Sequence, residues 1–150
     1  MEALIAMNNQ AVDMFFGAVR KMPAEKQTWK PLDEGRSALE QAQELATAPE
    51  MFLMHLAPDR TPKYSSFEEA SAAGAQMDLD ACEAECKSLT AEINDAIAKM
   101  TPEQMAAKHA MPWGMEHSGG EIAGFHYWNT VYHLGQVNYI QTLYGDRDMF

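Results

Sequence analysis

The chain has 150 residues, of which 47% are hydrophobic and 22% are charged, with a formal net charge of −11. This size predicts one domain over residues 1–150, and the short apolar runs exclude a helix of the ~20 residues needed to span a membrane. The negative charge argues against nucleic acid and anionic membrane surfaces as partners. The N-terminus lacks a basic region and a cleavage site, so we expect a cytoplasmic protein.

The first predicted helix runs from Ala3 to about Lys21, because apolar residues recur there at steps of three and four. Pro23 is poorly placed for continuing this helix, and Trp29–Arg36 is predicted to be a linker, because Pro31 disfavours the α region for Lys30 and Gly35 permits a turn. The helix is expected to form one wall of the core.

A second helix is predicted to begin at Ala38. Ser37 precedes it and Glu40 follows Ser37 by three residues, which is the spacing of a capping box. Pro49 lies within the helical pattern and would crowd the carbonyl group of Leu45. We therefore expect a kink at this proline before the apolar stripe resumes.

A short helix and a third long helix are predicted next. Ser66 and Glu69 repeat the capping-box spacing and indicate a short helix through Ala75. From Asp78 to Met100 one apolar stripe returns with helical period, and the acidic residues lie mostly outside it. This pattern predicts a long amphipathic helix.

The two cysteines of the chain, Cys82 and Cys86, lie one turn apart on this stripe. Side chains at that spacing run parallel and would strain a disulfide, so we interpret both as thiols. Packing in the core is the simpler role for them. The alternative is that they are two ligands of a metal, although no second pair of Cys or His lies nearby in the chain.

The last helix is predicted to span Glu121 to about Tyr144, with Gly145 as its C-cap. The residues before it, as far as Gly120, read as a short turn followed by an extended loop. No segment shows the alternation of a strand. The predicted fold is therefore all-α, a four-helix bundle with long connections.

The last helix also carries a second apolar face on the side where a simple bundle would show water-facing residues. An exposed apolar face on a helix favours packing against a second copy of the chain. We therefore predict a homodimer, with this face formed by Tyr127, Val131 and Leu134.

The inner face of the same helix mixes hydrophobic and polar side chains. At about 100° per residue, one stripe contains Ile122, Phe125, Asn129, His133, Gln136, Ile140 and Leu143. Burying an unpaired polar group costs about 1–3 kcal/mol. The imidazole and the two amides must therefore meet other helices, water, a metal or a ligand, which marks this stripe as the candidate site.

Three segments together resemble the DinB-like (YfiT-type) family of bacterial four-helix bundles, many of which bind metal and are dimeric. The segments are Trp29–Ser37, Pro112–Gly114, and Asn129–Gln136 with Tyr144–Gly145. The resemblance covers most of the chain and implies the family fold. It also implies a metal site with one His from the second helix and a His-x-x-x-His pair from the fourth, leaving positions open for water or substrate.

At the matching positions this sequence has Glu44, Asn129 and His133, so one of the three histidines is retained. The resemblance then implies that a divalent metal, Zn²⁺ or Ni²⁺, is bound weakly or is absent, because a neutral amide is a poor ligand for Zn²⁺. In the alternative, the three side chains form a metal-free cluster in which Glu44 accepts from the ring of His133 and Asn129 bridges.

Further candidates surround these positions. His126 lies at the edge of the stripe and is either a ligand from a shifted position or a buried histidine satisfied by a carbonyl group. Gln136 and Trp113 are candidates for outer partners of the ligands or for the walls of a cleft. The other histidines are expected outside the site, the last two of them in an exposed loop: His55, His109 and His117.

These observations leave three functions open. The first is a divalent-metal-dependent thiol transferase or hydrolase with a degraded metal site, in which the cation lowers the pKa of a bound thiol or water. The second is a metal-free, dimeric helical bundle that binds a small molecule or thiol. In the third, the polar cluster is vestigial and the protein performs no chemistry.

Overall fold

The structure, a computed structural model, describes residues 1–148, so the last two residues of the predicted domain lie outside the description. Most of these residues are helical. In chain order the elements are α1 (Glu2–Lys21), α2 (Ala24–Gln27), a 3₁₀ turn (Pro31–Asp33), α3 (Ala38–Thr47), α4 (Pro49–Leu56), α5 (Phe67–Gly74), α6 (Leu79–Lys99), α7 (Pro102–Ala106), β1 (Lys108–Ala110), β2 (Glu116–Ser118) and α8 (Gly119–Leu143).

The long helices pack around a shared core. Helix α1 contacts α6 and α8, α3 contacts α6, and α4 contacts both α6 and α8. The buried side chains form two clusters, one between α1, α3, the N-terminal part of α6 and the C-terminal part of α8, the other between α4, the C-terminal part of α6 and the N-terminal part of α8. Helix α8 therefore runs the length of the core and contributes to both clusters.

The predicted start and kink of the second helix are confirmed. The Ser37 hydroxyl accepts from the backbone N–H of Glu40, and the Glu40 carboxylate accepts from the backbone N–H of Ser37, which completes the capping box. Helix α3 ends at Thr47 and α4 begins at Pro49, because proline lacks the backbone donor that would continue the helix.

The expectation that the chain contains no strand is wrong. Residues 108–118 form a short antiparallel hairpin in which His109 pairs with His117. Its strands have three residues each, too few for an alternation that could be read from the sequence. Ser118 at the end of the hairpin caps α8, with Glu121 completing a capping box, so α8 begins at Gly119.

The buried face of α8 differs from the predicted stripe. Its buried side chains include His126, Thr130, His133, Leu134 and Val137. The predicted stripe residues Phe125, Asn129 and Gln136 are only half-buried, and Leu143 is 47% exposed. Because α8 packs against both α1 and α4, its buried arc is broader than one stripe and is centred elsewhere on the helix.

The predicted outer apolar face is also corrected by the structure. Leu134 is only 6% exposed and belongs to the core, and Tyr127 and Val131 are half-buried. The large side chains exposed on this helix include instead three aromatic ones, here called the aromatic row: Trp128, Tyr132 and Tyr139. Trp128 and Tyr132 stack on each other with ring centroids 5.7 Å apart.

Both cysteines are free thiols in the core, as predicted. Burial raises the pKa of Cys82 to about 11 and that of Cys86 to about 12, so both stay protonated at neutral pH. Their role is packing between α6 and its neighbours. Among residues 1–148, no helix has both the length and the apolar character required to cross a bilayer.

Candidate functional site

The ring of His133 is buried on α8, and oxygen atoms face both of its nitrogens. Nε2 lies 3.0 Å from Oε1 of Glu44. Nδ1 lies 2.9 Å from Oε1 of Gln136 and 3.2 Å from Oε1 of Gln41. We call Gln41, Glu44, His133 and Gln136 the polar cluster. The hydrogen bond expected between Glu44 and His133 is therefore present, and the amides hold the other side of the ring.

Two helices position the polar cluster. Gln41 and Glu44 are three residues apart on α3, and His133 and Gln136 are three residues apart on α8, so each pair lies on one face of its helix. The capping box at Ser37 fixes the start of α3 just before these residues. The cluster thus joins α3 to α8 through hydrogen bonds between rigid elements.

Arg36 extends the cluster toward solvent. Its Nη1 donates to Oε2 of Glu44 at 2.6 Å, and its Nη2 donates to the backbone oxygen of Glu40. The hydrogen bond from His133 lowers the pKa of Glu44 to about 2, the charges of His133 and Arg36 lower it further, and burial opposes the shift. Glu44 is therefore ionised at neutral pH and is a weak base.

A groove between α3–α4 and α5 opens beside this ion pair. It encloses about 530 Å³, and we call it the α5 groove. Arg36 and Glu44 lie along its polar part, while Met51, Met54 and Phe67 provide apolar surface. The last two of these side chains are 55% and 69% exposed. The groove can therefore accept a molecule with a polar and an apolar part.

A second, shallower groove of about 440 Å³ follows the surface of α8. Its lining includes Gln41 and Gln136, together with Tyr132 and Tyr139 of the aromatic row. Arg36 lines this groove as well as the α5 groove. The polar cluster therefore has access to the surface on both sides of Arg36.

Three other predicted site residues lie apart from the polar cluster. Asn129 is half-buried, and its side chain makes no hydrogen bond within the part of the chain that the structure describes. The His126 ring is buried and lies 2.8 Å from the Thr90 hydroxyl through Nε2, while Nδ1 has no partner among the described residues. Burial lowers the pKa of His126 to about 4. Trp113 packs on the hairpin and lines neither groove.

Sequence reasoning missed two members of the site, Gln41 and Arg36. Gln41 lies one helical turn before Glu44, so the ligand position inferred from the resemblance already pointed to its face of α3. Arg36 stands in the linker that carries the resemblance, one residue before the N-cap. Its ion pair with Glu44 forms because the linker folds back on α3, and no local sequence pattern predicts that fold.

The donors at this site do not fit a tightly held Zn²⁺ or Ni²⁺ ion. They are one imidazole, one carboxylate and neutral amides, and both carboxylate oxygens of Glu44 already have partners. One of those partners is the Arg36 guanidinium, whose positive charge would oppose a divalent cation. Within residues 1–148, no group of three His, Cys, Asp or Glu side chains has the spacing of a metal site.

The sequence model of the DinB superfamily matches residues 8–137. The chain belongs to the DinB superfamily. The resemblance predicted from the three sequence segments is thus confirmed, and the helical fold of this DinB-superfamily chain agrees with it. No curated protein matches the sequence significantly.

Two solved structures share the fold of this DinB-superfamily chain. One is a mycothiol-dependent maleylpyruvate isomerase and the other is a single-residue variant of the same enzyme, with TM-scores of 0.64 and 0.65. Each is 12% identical to this chain and is matched over 93% of it. The chain spans 65% of the length of those proteins. At this identity the likeness concerns the fold alone.

Proposed function

We propose that this DinB-superfamily protein binds a small polar molecule in the α5 groove without a metal. The observation that carries the proposal is the Arg36–Glu44 ion pair, backed by the buried ring of His133 and open to a groove of about 530 Å³. Arg36 and Glu44 would anchor the ligand, and His133 would hold Glu44 in place. Gln41 and Gln136 orient the His133 ring.

The charges around the groove indicate the class of ligand. Its lining includes two cations, Lys30 and Arg36, and four carboxylates: Glu34, Glu40, Glu44 and Glu50. This excess of negative charge, in a chain with a net charge of −11, favours a ligand with amine or hydroxyl donors. Since the solved structures of similar fold are named as thiol-dependent enzymes, we propose a low-molecular-weight thiol that carries such donors.

Reduced mycothiol, glutathione and cysteine are the probes for this proposal. At least one of them is expected to bind with a Kd below about 1 mM and to raise the melting temperature. Arg36→Gln should weaken this binding about tenfold or more, because it breaks the ion pair that holds Glu44 in place to accept from the amine or hydroxyl donors of the ligand. Isothermal titration calorimetry measures the affinity, and a thermal-shift assay measures the melting temperature.

Arg20→Gln is the matched control, since Arg20 is similarly exposed and pairs with Asp80 and Glu83 away from the groove. It should leave the affinity unchanged. Equal losses in the Arg36 and Arg20 variants would mean that overall charge, not the groove, controls binding. Absence of both heat and thermal shift with all three thiols would refute the proposal.

A metal-dependent thiol transferase or hydrolase is the second candidate. It is supported by the family pattern, which places Glu44, Asn129 and His133 at the ligand positions, and by the thiol-dependent enzymes of similar fold. In this candidate His126, Gln136 or Trp113 would support the ligands or the cleft. Calorimetric titration with Zn²⁺ and Ni²⁺ distinguishes the two candidates. A metal site at Glu44, Asn129 and His133 should bind one ion in the wild type and lose it in His133→Ala.

We further propose a cytoplasmic, single-domain four-helix bundle formed by α1, α3 with α4, α6 and α8, which pairs into a homodimer. The aromatic row supports the dimer, since Trp128, Tyr132 and Tyr139 are 62%, 51% and 66% exposed. In addition, no charged residue occurs between Glu121 and Asp146. Two molecules with a charge of −11 would meet with least repulsion on this face.

Sedimentation velocity at micromolar concentration is expected to show a dimer. Tyr132→Glu should convert it to a monomer, because it places a charge within the apolar contact. Lys99→Glu, which changes an exposed side chain at the end of α6, is the control and should leave the dimer intact. A wild-type protein that sediments only as a monomer would refute the dimer.

A further inference from the structure

Three of the five histidines of the chain meet where the hairpin packs against α4. His55 is in the last turn of α4, His109 is the middle residue of β1, and His117 is its pairing partner on β2. The sequence predicts an exposed loop at His109 and His117, but all three side chains are half-buried. This cluster lies outside the polar cluster and outside the proposed thiol site.

The rings of His55 and His109 lie in contact, with centroids 5.4 Å apart and planes inclined by 69°. In the described part of the chain, neither ring takes part in a side-chain hydrogen bond. Burial, and then the charge of His109, lower the pKa of His55, which favours its neutral form. Two half-buried imidazoles without side-chain hydrogen bonds in the described part of the chain therefore lie in contact between α4 and β1.

We propose that His55 and His109 bind one divalent transition-metal ion, with water completing the coordination. Imidazole nitrogens are preferred ligands of Zn²⁺, Ni²⁺ and Cu²⁺. Two imidazoles on one tetrahedral ion have ring centres about 5 Å apart, given metal–nitrogen bonds of about 2.0–2.1 Å. The observed 5.4 Å is close to that separation, so the two rings are spaced as two ligands of one ion would be.

His117 is held differently from the other two. Its ring packs against Phe125 at 4.9 Å, its Nε2 accepts from Trp113 Nε1 at 3.4 Å, and its Nδ1 lies 4.0 Å from a carboxylate oxygen of Glu121. Its Nε2 is therefore occupied by the indole N–H, and His117 is not assigned to the proposed ion. No third His, Cys, Asp or Glu side chain completes the geometry within residues 1–148, which is why the site has two protein ligands.

The ion would join α4 to the hairpin. The hairpin contributes Met111 to the core cluster of α4, and Lys108 on β1 lies 3.5 Å from Glu121 on α8. A metal bond between His55 and His109 would add a cross-link to these contacts. Because an ion that binds only the folded chain stabilises it, the melting temperature should rise with metal concentration.

Titration of untagged, EDTA-treated protein with Ni²⁺ and Zn²⁺ tests this proposal. We expect one equivalent of ion to bind, and paramagnetic Ni²⁺ should broaden the ring signals of His55 and His109 first in nuclear magnetic resonance spectra. His55→Gln and His109→Gln should each weaken binding about tenfold or more, because each removes one of two ligands. In the absence of metal, both variants should melt close to the wild-type temperature.

Two results would overturn the site. One is broadening centred on His133, which would instead support the family-type metal site and leave the His55–His109 pair unused. The other is binding that neither glutamine variant weakens. The nuclear magnetic resonance experiment uses the wild-type protein, so it decides the question even if a variant folds poorly.

Discussion

His133→Ala is expected to lower the free energy of unfolding by about 3 kcal/mol. The substitution leaves a cavity at a side chain that is 1% exposed and removes three oxygen partners at once. Glu44 keeps Arg36 but loses its buried hydrogen bond, and the amide of the buried Gln41 loses its partner across the interface. Chemical denaturation followed by circular dichroism measures the change.

Gln136→Ala is the matched control for this prediction. It removes one of the two amide oxygens at Nδ1 of His133 and leaves Gln41 to accept the hydrogen bond. We expect a loss of about 1 kcal/mol or less, because Gln136 is half-buried and its partner stays paired. Equal losses in both variants would show that the polar cluster does not hold α3 to α8.

Acidification is expected to remove about 3 kcal/mol of stability through His126 alone. Burial holds its folded-state pKa at about 4, against an ordinary value of 6.5. Between these pH values the unfolded chain binds a proton that the folded chain does not, so stability falls as the pH falls. The contribution is complete above about pH 6.5 and is lost toward pH 4, as denaturation curves at a series of pH values would show.

Between pH 6.5 and 4.5 the loss of stability caused by His126 can be measured without a contribution from Glu44. Glu44 has a depressed pKa of about 2, so its contribution is present above about pH 4.5 and is lost only below that value. The pKa of His55 is also lowered, so His55, like His126, makes the protein less stable as the pH falls. His126→Gln should therefore flatten the pH dependence without abolishing it. If the free energy of unfolding changed with pH equally in the wild type and in His126→Gln, the loss of stability could not be attributed to His126.

His126 and His133 differ in the hydrogen-bond partners of their rings, and this difference gives them different roles. His126 faces a neutral hydroxyl from Thr90 in an apolar part of the core, so charging it is costly. His133 faces a carboxylate and two amide oxygens. The first histidine therefore packs between α6 and α8, while the second supports the proposed binding groove through Glu44.

Elements with strong local signals could be predicted from the sequence. The capping box of Ser37 and Glu40 starts α3, and Pro49 separates α3 from α4, as expected. These features depend on residues within one or two helical turns, where hydrogen bonding and backbone sterics decide the outcome. The apolar stripe of α6, which includes both cysteines, was predicted for the same reason.

The hairpin and the face of α8 could not be predicted in this way. Three-residue strands offer too little alternation, and their stability comes from pairing across the turn and from Met111 in the core. Helix α8 has apolar and aromatic residues around much of its circumference, so its sequence does not distinguish the buried arc from the exposed aromatic row. Contacts with α1 and α4 select that arc.

Local patterns in the sequence predict the helical character of the chain, most of the helix boundaries and a polar side chain, His133, on an apolar helix, because periodicity, caps and residue polarity are local properties. The side chains that contact His133 follow from the packing of the helices instead. Gln41 and His133 are 92 residues apart in the chain, and Arg36 reaches Glu44 only through the fold of the linker. Such partners depend on how whole helices pack, which no short stretch of sequence encodes.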